Sequence, residues 1–293
     1  MNMPTCIILV GIPGSGKTYY AQKYIEEYHN TVHLSSDAIR KELYGDESIQ
    51  DNPAAVFELM QKRAVEALNE GKDVVYDCTS ITRKDRASII SKLPKFARVE
   101  CHIVWTPIET CIERDAARER TVGKEVIDKM LKHFQAVYYD EGFDYIKVIL
   151  PDGFDPWDDK YMLERINAMK IPHDNPHHTL GVADHCFAAH EYLESKGCTD
   201  FDLLLAATLH DIGKPYVKAF VNSKGEPDEI AHFYGHQSVG AYIVYGCPDD
   251  NIELAWLIST HMDPYLNTKY YNNLPKFLKE KIDLLHEADK NAH

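Results

Sequence analysis

Two groups of residues in this 293-residue chain have the types and spacing to handle phosphate. The first is Gly11-Ile-Pro-Gly14-Ser15-Gly16-Lys17-Thr18, which reads G-x-x-x-x-G-K-T. In such a loop the glycines let backbone N–H groups converge on phosphate oxygens. The lysine pairs with the outer phosphates and the threonine hydroxyl holds Mg²⁺. Gly11, Gly14, Ser15, Gly16, Lys17 and Thr18 are therefore the expected nucleotide-binding residues, with ATP or another nucleoside triphosphate and Mg²⁺ as cofactors. A plain glycine-rich turn is the competing reading. Context disfavours it, because the apolar run Cys6–Val10 leads in and a helical pattern follows, presenting its N-terminal dipole to the same anion.

The second group is His178, His210, Asp211, His236, His261 and Asp289, separated by gaps of 32, 1, 25, 25 and 28 residues. Neutral imidazole together with carboxylate suits Mn, Fe, Co, Ni or Zn. The His210-Asp211 doublet ends the apolar run Leu203–Leu209, so the last helical turn directs two neighbours toward one metal cluster. A lone doublet is weak evidence; six such residues on or near helices outweigh a set of unrelated surface histidines. His185 lies seven residues after His178, on the same helix face, and is a supporting or substrate-facing candidate. His177 and His190 read as ordinary surface histidines.

Between these groups lie residues that suit an acceptor. In Ser35-Ser36-Asp37-Ala-Ile-Arg40 a serine caps a helix and Asp37 and Arg40 share one face. There an Asp can accept the proton of an attacking hydroxyl while an Arg holds an acceptor phosphate. Asp77 ends the run Val74-Val-Tyr76, where a carboxylate either reaches the Mg²⁺ region or orients the acceptor. Thr79 and Arg83 follow, read equally as a cap and a solvated base or as ligand contacts. Arg114 and Arg118 sit one turn apart before Gly123, as in a basic lid that closes over donor phosphates and excludes water.

These residues need elements to hold them. Up to residue 150 apolar runs alternate with amphipathic patterns, which predicts strands at 6–10, 31–35, 73–77, 98–105 and 145–150. Helices are predicted at 17–29, 36–44, 53–70, 82–92, 107–119 and 123–138. That alternation implies a parallel sheet with flanking helices. Pro151-Asp-Gly-Phe-Asp-Pro156 reads as a boundary, 157–169 as an amphipathic helix, and Ile171–Pro176 as a second break. From His177 the pattern is helical, without convincing strands. The expected domains are 1–156 and 172–293, with 157–171 as a linking helix. Four of the fifteen histidines lie in 1–160 and eleven in 161–293, so the halves are expected to do different chemistry.

A net charge of −14 argues against sequence-blind duplex binding, so a nucleic-acid partner must be gripped by local basic groups. We expect such a groove from Arg40, Arg83, Arg86 and the lid arginines. Seven cysteines without a C-x-x-C pair predict reduced thiols and a cytoplasmic protein. No leader pattern or long apolar run is present, so neither secretion nor membrane spanning is expected.

The set GIPGSGKT, SSDAIR, DCTSITR and R-x-x-x-R-x-R resembles the kinase domain of polynucleotide 5′-hydroxyl kinases of the phage end-healing type, over about residues 1–150. The resemblance implies that Lys17 and Thr18 handle ATP and Mg²⁺, and that Asp37 is the general base. It further implies that Arg40 contacts the acceptor's 3′-phosphate, Asp77 lies near the acceptor, and Arg118 is the lid arginine. The second half resembles the HD phosphohydrolase superfamily through HTL, LHDIGKP, GH and AD, over about 172–293. By that resemblance His178, His210, Asp211 and Asp289 ligate one metal. His236 and His261 complete a second site, Asp211 bridges, and Lys214 faces the substrate phosphate. Together they imply a bifunctional enzyme that phosphorylates 5′-hydroxyl ends and hydrolyses 2′,3′-cyclic or 2′/3′-phosphates. RNA ends would be preferred to DNA, with a separate RNA ligase as partner. A small-molecule or nucleoside kinase fused to a nucleotide phosphohydrolase is the alternative, and a nucleotide-sensing P-loop module a third.

Overall fold

In the computed structural model, which describes residues 3–49, 51–176, 179–248 and 251–292, the first apolar run becomes β1 (Thr5–Val10). Cys6–Val10 are fully buried, and a strand with no exposed face needs neighbours on both edges and cover on both sides. The following elements supply them: α1 (Lys17–Glu27), β2 (Thr31–Ser35), α2 (Ser36–Tyr44), α3 (Pro53–Asn69), β3 (Asp73–Asp77) and α4 (Arg83–Ile90). After these come β4 (Arg98–Val104), α5 (Ile108–Ala116), α6 (Lys124–Lys132) and β5 (Tyr145–Ile149). The five strands form one parallel sheet in the order β2-β3-β1-β4-β5.

The chain runs from β1 to β2 and back to β3 on one side of β1, then crosses to β4 on the other, so the loop after β1 opens at the switch point where ligands bind in such sheets. The register pairs Ser35 with Asp77 and Ile8 with Tyr76. The loop after β1, the start of α2 and the end of β3 therefore emerge along one edge.

Two compact units make up the chain: Met1–Ile127 with Val137–Phe154, and Asp128–Ala136 with Asp155–His293. The helix expected over 123–138 ends at Lys132. Beyond it the backbone N–H groups of His133 and Phe134 bond carbonyls three residues back, and the Ala136 N–H goes to Ser259 Oγ (3.3 Å). A tertiary partner takes the donor that another helical turn would have used.

The second unit is helical, with α7 (Lys160–Ala168), α8 (Val182–Ser195), α9 (Phe201–Leu209) and α10 (Lys214–Val217). One departure from the all-helical expectation follows: β6 (Ala219–Val221) and β7 (Pro227–His232) form an antiparallel hairpin. Three residues and the polar run PDEIAH carry too little alternation to register as strands. The turn is instead made by Asn222, whose Oδ1 accepts N–H bonds from Lys224 and Glu226, and by Gly225 at φ +82. The chain finishes with α11 (His236–Val244), α12 (Ile252–Thr260), α13 (Asp263–Leu266), α14 (Thr268–Asn273) and α15 (Lys276–Asn291). α8 packs on α9 and α15, and α12 on α9 and α11. All seven cysteines are free thiols, and no helix among the described residues is long and apolar enough to cross a membrane.

Candidate functional site

In the first unit the loop after β1 has a shape that only its glycines permit. A Cβ on Gly11 would stand 2.6 Å from Val104 O, and one on Gly14, at φ +82, would stand 2.2 Å from Cys111 O. Gly16, at φ +97, caps α1 and presents that helix's N-terminus to the loop. Thr106 Oγ1 donates to Ser15 O (3.0 Å) and Gly11 N to Thr79 O (3.2 Å), which ties the loop to its two neighbours. Ser15 Oγ is buried and without a partner. Lys17 Nζ bonds Gly11 O (2.9 Å) and Ile12 O (3.0 Å), so its ammonium already sits over the loop. Loss of hydration lowers its pKa, against the opposing pull of Asp77. Such a cradle of N–H groups, with one cation and an unpartnered hydroxyl, fits a nucleotide's phosphates.

Asp77 is buried at the end of β3 and accepts two bonds on one oxygen. Thr18 Oγ1 donates to Oδ2 at 2.9 Å and His33 Nε2 at 3.0 Å. This places a threonine hydroxyl and a carboxylate together beside the phosphate loop, as a Mg²⁺ site requires. Ser35, not Ser36, caps α2, accepting from Ala38 N. Asp37 stays exposed in the first turn, while Arg40 is buried and donates Nη1 to Asp37 Oδ1 (2.5 Å), its Nε lacking a partner. Arg114 closes α5 with Nη1 3.3 Å from Thr106 Oγ1 and faces Gly16. Arg118 lies two residues past the end of α5, exposed. The loop carrying it is closed by Asp115, whose buried carboxylate accepts from Val122 N (3.1 Å) and Gly123 N (2.9 Å). Sequence reasoning passed over both Asp115 and His33.

Arg86 departs from the groove expected of it. Its side chain is fully buried, pairs in a fork with Glu141 (2.7 and 2.8 Å) and donates to Ser80 O (3.1 Å). A fully buried Arg committed to a carboxylate and a backbone carbonyl cannot turn outward to a phosphate. Arg83 is largely buried too, with Nη1 3.8 Å from Asp140.

In the second unit five helices converge. His210 follows α9, His261 follows α12, and His236 opens α11. Each gives its Nδ1–H to the carbonyl three residues back: Ala207 (2.8 Å), Ile258 (2.7 Å) and Phe233 (2.9 Å). A carbonyl only accepts, so each Nδ1 carries a hydrogen and the three Nε2 atoms are left facing inward. Gly213 allows this closeness, since a Cβ there would lie 2.1 Å from His236 O.

Within the cluster His236 Nε2 is 3.3 Å from Asp211 Oδ1, and His210 Nε2 is 3.4 Å from Asp211 Oδ2. Asp289 on α15 lies 2.8 Å from Nε2 of His185, whose Nδ1 faces Ala292 O (2.9 Å), and 3.5 Å from His210 Nε2. The ligand atoms of His185, His210 and Asp289 fall within 4.8 Å of one another, as do those of Asp211, His236 and His261. Cys186 Sγ is also near, but it meets His210 at Nδ1, which is already given to Ala207, so the thiol shares no cation with that ring.

Burial pushes His236 down to about 4 and His261 to about 3, so both are neutral near pH 7. His210 is different: burial works against its charge, yet the fields of Cys186 and Asp211 and the nearby Asp289 raise its pKa well above the usual value. Burial likewise opposes charge on Asp289, but His185 and His210 hold its carboxyl far below the usual range. His210 Nε2 has no hydrogen-bond partner despite complete burial. The neutral imidazoles of His236 and His261, low-lying carboxylates and a field that favours positive charge at His210 fit one or two divalent metals.

His178 lies outside the described residues; among those described, His185 is the α8 histidine that closes on His210 and Asp289. Lys214 is buried, with Nζ 2.6 Å from Asp211 Oδ2 in an ion pair that lacks hydrogen-bond angles, and 2.9 Å from His173 Nε2. His173 received no role from the sequence. Its only signal was position, inside the Pro-bounded break just ahead of His178.

Fold and sites define a chain that joins a P-loop, kinase-like domain to a helical HD domain. Residues 6–137 match the family model described as an AAA domain, and residues 177–289 that of an HD domain. A curated relative, "Transcription factor bHLH140" of Arabidopsis thaliana, is 26% identical over 156 residues, covering 50% of this chain and 16% of that protein. A solved chain of the Pnkp1/Rnl/Hen1 RNA repair complex is 24% identical, covering 49% of this chain and 47% of that one, with a TM-score of 0.42. For a fungal RNA kinase the values are 12%, 57%, 43% and 0.40, and for a gluconokinase from Sinorhizobium meliloti 17%, 51%, 84% and 0.37. This chain thus spans under half of the first two structures and a small part of the plant relative. Similarities of that size identify neither substrate nor partner.

Proposed function

We propose that this chain heals nucleic-acid ends, those of RNA in particular. Residues 1–156 would phosphorylate a 5′-hydroxyl, and residues 172–293, beyond a linking segment at 157–171, would hydrolyse a 2′,3′-cyclic phosphate or a 2′/3′-monoester. The observation that carries this reading is the presence in one chain of a phosphate cradle with an acid–arginine pair and of a buried His/Asp cluster. A cut that leaves a cyclic phosphate also leaves a 5′-hydroxyl, so the two chemistries repair both products of one event.

ATP with Mg²⁺ supplies the phosphoryl group at the first site. Gly11–Gly16 direct N–H groups at its phosphates, Lys17 neutralises charge developing during transfer, and Thr18 with Asp77 holds the Mg²⁺ side. Asp37 keeps one carboxylate oxygen off Arg40, free to take the proton of the acceptor hydroxyl. Arg40 steadies Asp37 and contacts the acceptor phosphate, and Arg114 with Arg118 covers the donor.

At the second site divalent metal (Mn, Fe, Co, Ni or Zn) supplies charge stabilisation for attack of water on a phosphoester. His185, His210 and Asp289 would hold one ion, with His178 beside them by the family resemblance. Asp211, His236 and His261 would hold another, with Asp211 shared. Lys214 keeps the outer oxygen of Asp211 in place and lies within reach of an incoming phosphate. Joining the healed ends is left to a separate RNA ligase. Seven free thiols accord with the reducing cytoplasm.

The test is an RNA carrying a 5′-hydroxyl and a 2′,3′-cyclic phosphate, supplied with labelled ATP, Mg²⁺ and a transition metal. Label should appear at the 5′ end and the cyclic phosphate should disappear. Preferential labelling of free nucleosides would support the small-molecule reading instead. Nucleotide binding without transfer to any acceptor would support nucleotide sensing.

A further inference from the structure

We infer that His33 is a positioning residue for Mg²⁺–nucleotide binding, acting through Asp77. The inference rests on the P-loop reading above and deepens it. His33 lies on β2 two residues before Ser35, on the same face, and Ser35 is the register partner of Asp77. From there its Nε2 reaches across to Asp77 Oδ2 at 3.0 Å. A carboxylate only accepts, so Nε2 carries the hydrogen. Thr18 Oγ1 donates to the same oxygen at 2.9 Å.

Two donors on one oxygen have a consequence for both partners. Thr18 spends its only proton on Asp77, so its lone pairs are the ones available to a cation at the phosphates. Oδ2 of Asp77 is occupied by His33 as well, so the carboxylate cannot rotate without breaking two bonds, and Oδ1 remains as its open face. Asp77 is 4% exposed and the His33 side chain 16% exposed, so water replaces neither bond readily. The same strand continues into Asp37 on α2. β2 therefore places both the support for the Mg²⁺-side acid and the acid proposed to act on the acceptor.

His33→Ala removes one of the two donors and lets Asp77 turn. Partners that orient a metal-side ligand are typically worth about 10- to 100-fold in metal affinity or activity. We expect a shift of that order in the Mg²⁺ concentration needed for ATP binding, read by calorimetry or a fluorescent ATP analogue with no acceptor present. ATP binding measured without Mg²⁺ should be unchanged. His33→Gln, whose amide places a donor near the same point, should restore most of the Mg²⁺ response. Thermal melting and circular dichroism report whether each variant is folded.

A folded His33→Ala protein with an unshifted Mg²⁺ response overturns the inference, as does a folded His33→Gln protein as impaired as His33→Ala. Because the readout needs no acceptor, these outcomes are distinct from failure of the end-healing reading. In that case the wild-type chain would bind Mg²⁺–ATP normally and transfer to no nucleic-acid end.

Discussion

The rings of His236 and His261 meet Nε2 to Nε2 at 3.2 Å, with both Nδ1–H groups already committed to backbone carbonyls. Both rings are neutral near pH 7, so two lone pairs face each other in a buried site. Such an arrangement is stable only with a proton or a metal between the nitrogens. His261→Ala should therefore weaken divalent metal binding by at least about 10-fold, with a comparable fall in phosphoesterase activity. Metal analysis of the purified variant checks this, and an undiminished metal content would remove the case for that pair as ligands.

The two active sites should fail separately. Asp211→Ala is expected to abolish hydrolysis of a 2′,3′-cyclic phosphate while leaving 5′-phosphorylation, and Asp37→Ala to do the reverse. Chelators blur the comparison because they strip Mg²⁺ as well, so each variant is assayed with Mg²⁺ and with Mn²⁺, Co²⁺ or Ni²⁺ added. Loss of both activities in folded Asp211→Ala protein would mean that the halves are coupled.

Metal-free protein should lose stability as the pH falls from about 6.5 to about 4. Burial lowers His102 and His236 to about 4 and His261 to about 3, whereas the same rings in the unfolded chain take up protons near 6.5. The unfolded state thus binds more protons across that window, and the sign is destabilising on acidification. His210, whose folded pKa is raised, is charged in both states there and adds little slope; its contribution is lost only as pH rises through its elevated pKa. Urea unfolding at a series of pH values measures the trend. A midpoint that is flat or rises on acidification through this window would contradict the burial of these rings.

Arg86 should prove structural. Removing one partner of a buried ion pair typically costs about 3–5 kcal/mol, so Arg86→Ala should be strongly destabilising in denaturant unfolding. The salt dependence of acceptor binding in whatever protein remains folded should match the wild type, since Arg86 is turned toward Glu141. A stable Arg86→Ala protein whose acceptor binding had lost salt sensitivity would return this residue to the groove.

The phosphate loop and the parallel sheet were legible because their information is local. Gly11–Thr18 is a contiguous run whose backbone makes the site, and β1 to β5 announce themselves as apolar runs with helical patterns between. His210 and Asp211 were legible for the same reason, as neighbours at the end of one apolar helix. The hairpin at 219–232 was missed because its strands are too short and polar to show a period. The early end of α6 was missed because the Ala136 N–H beyond it finds its partner in Ser259, more than a hundred residues away.

What the sequence by itself determined is therefore the chemistry on offer: a P-loop, acids and arginines at strand ends, and a set of histidines and aspartates on helices. Which of these meet was decided by packing. His185 closes on Asp289 across 104 residues, Lys214 is held between Asp211 and His173, His33 reaches Asp77 from the next strand, and Arg86 turns inward to Glu141. Side chains brought together by separate elements carry no spacing signature. Their meeting depends on how those elements dock, and that follows from the burial of residues between them rather than from the reacting residues themselves.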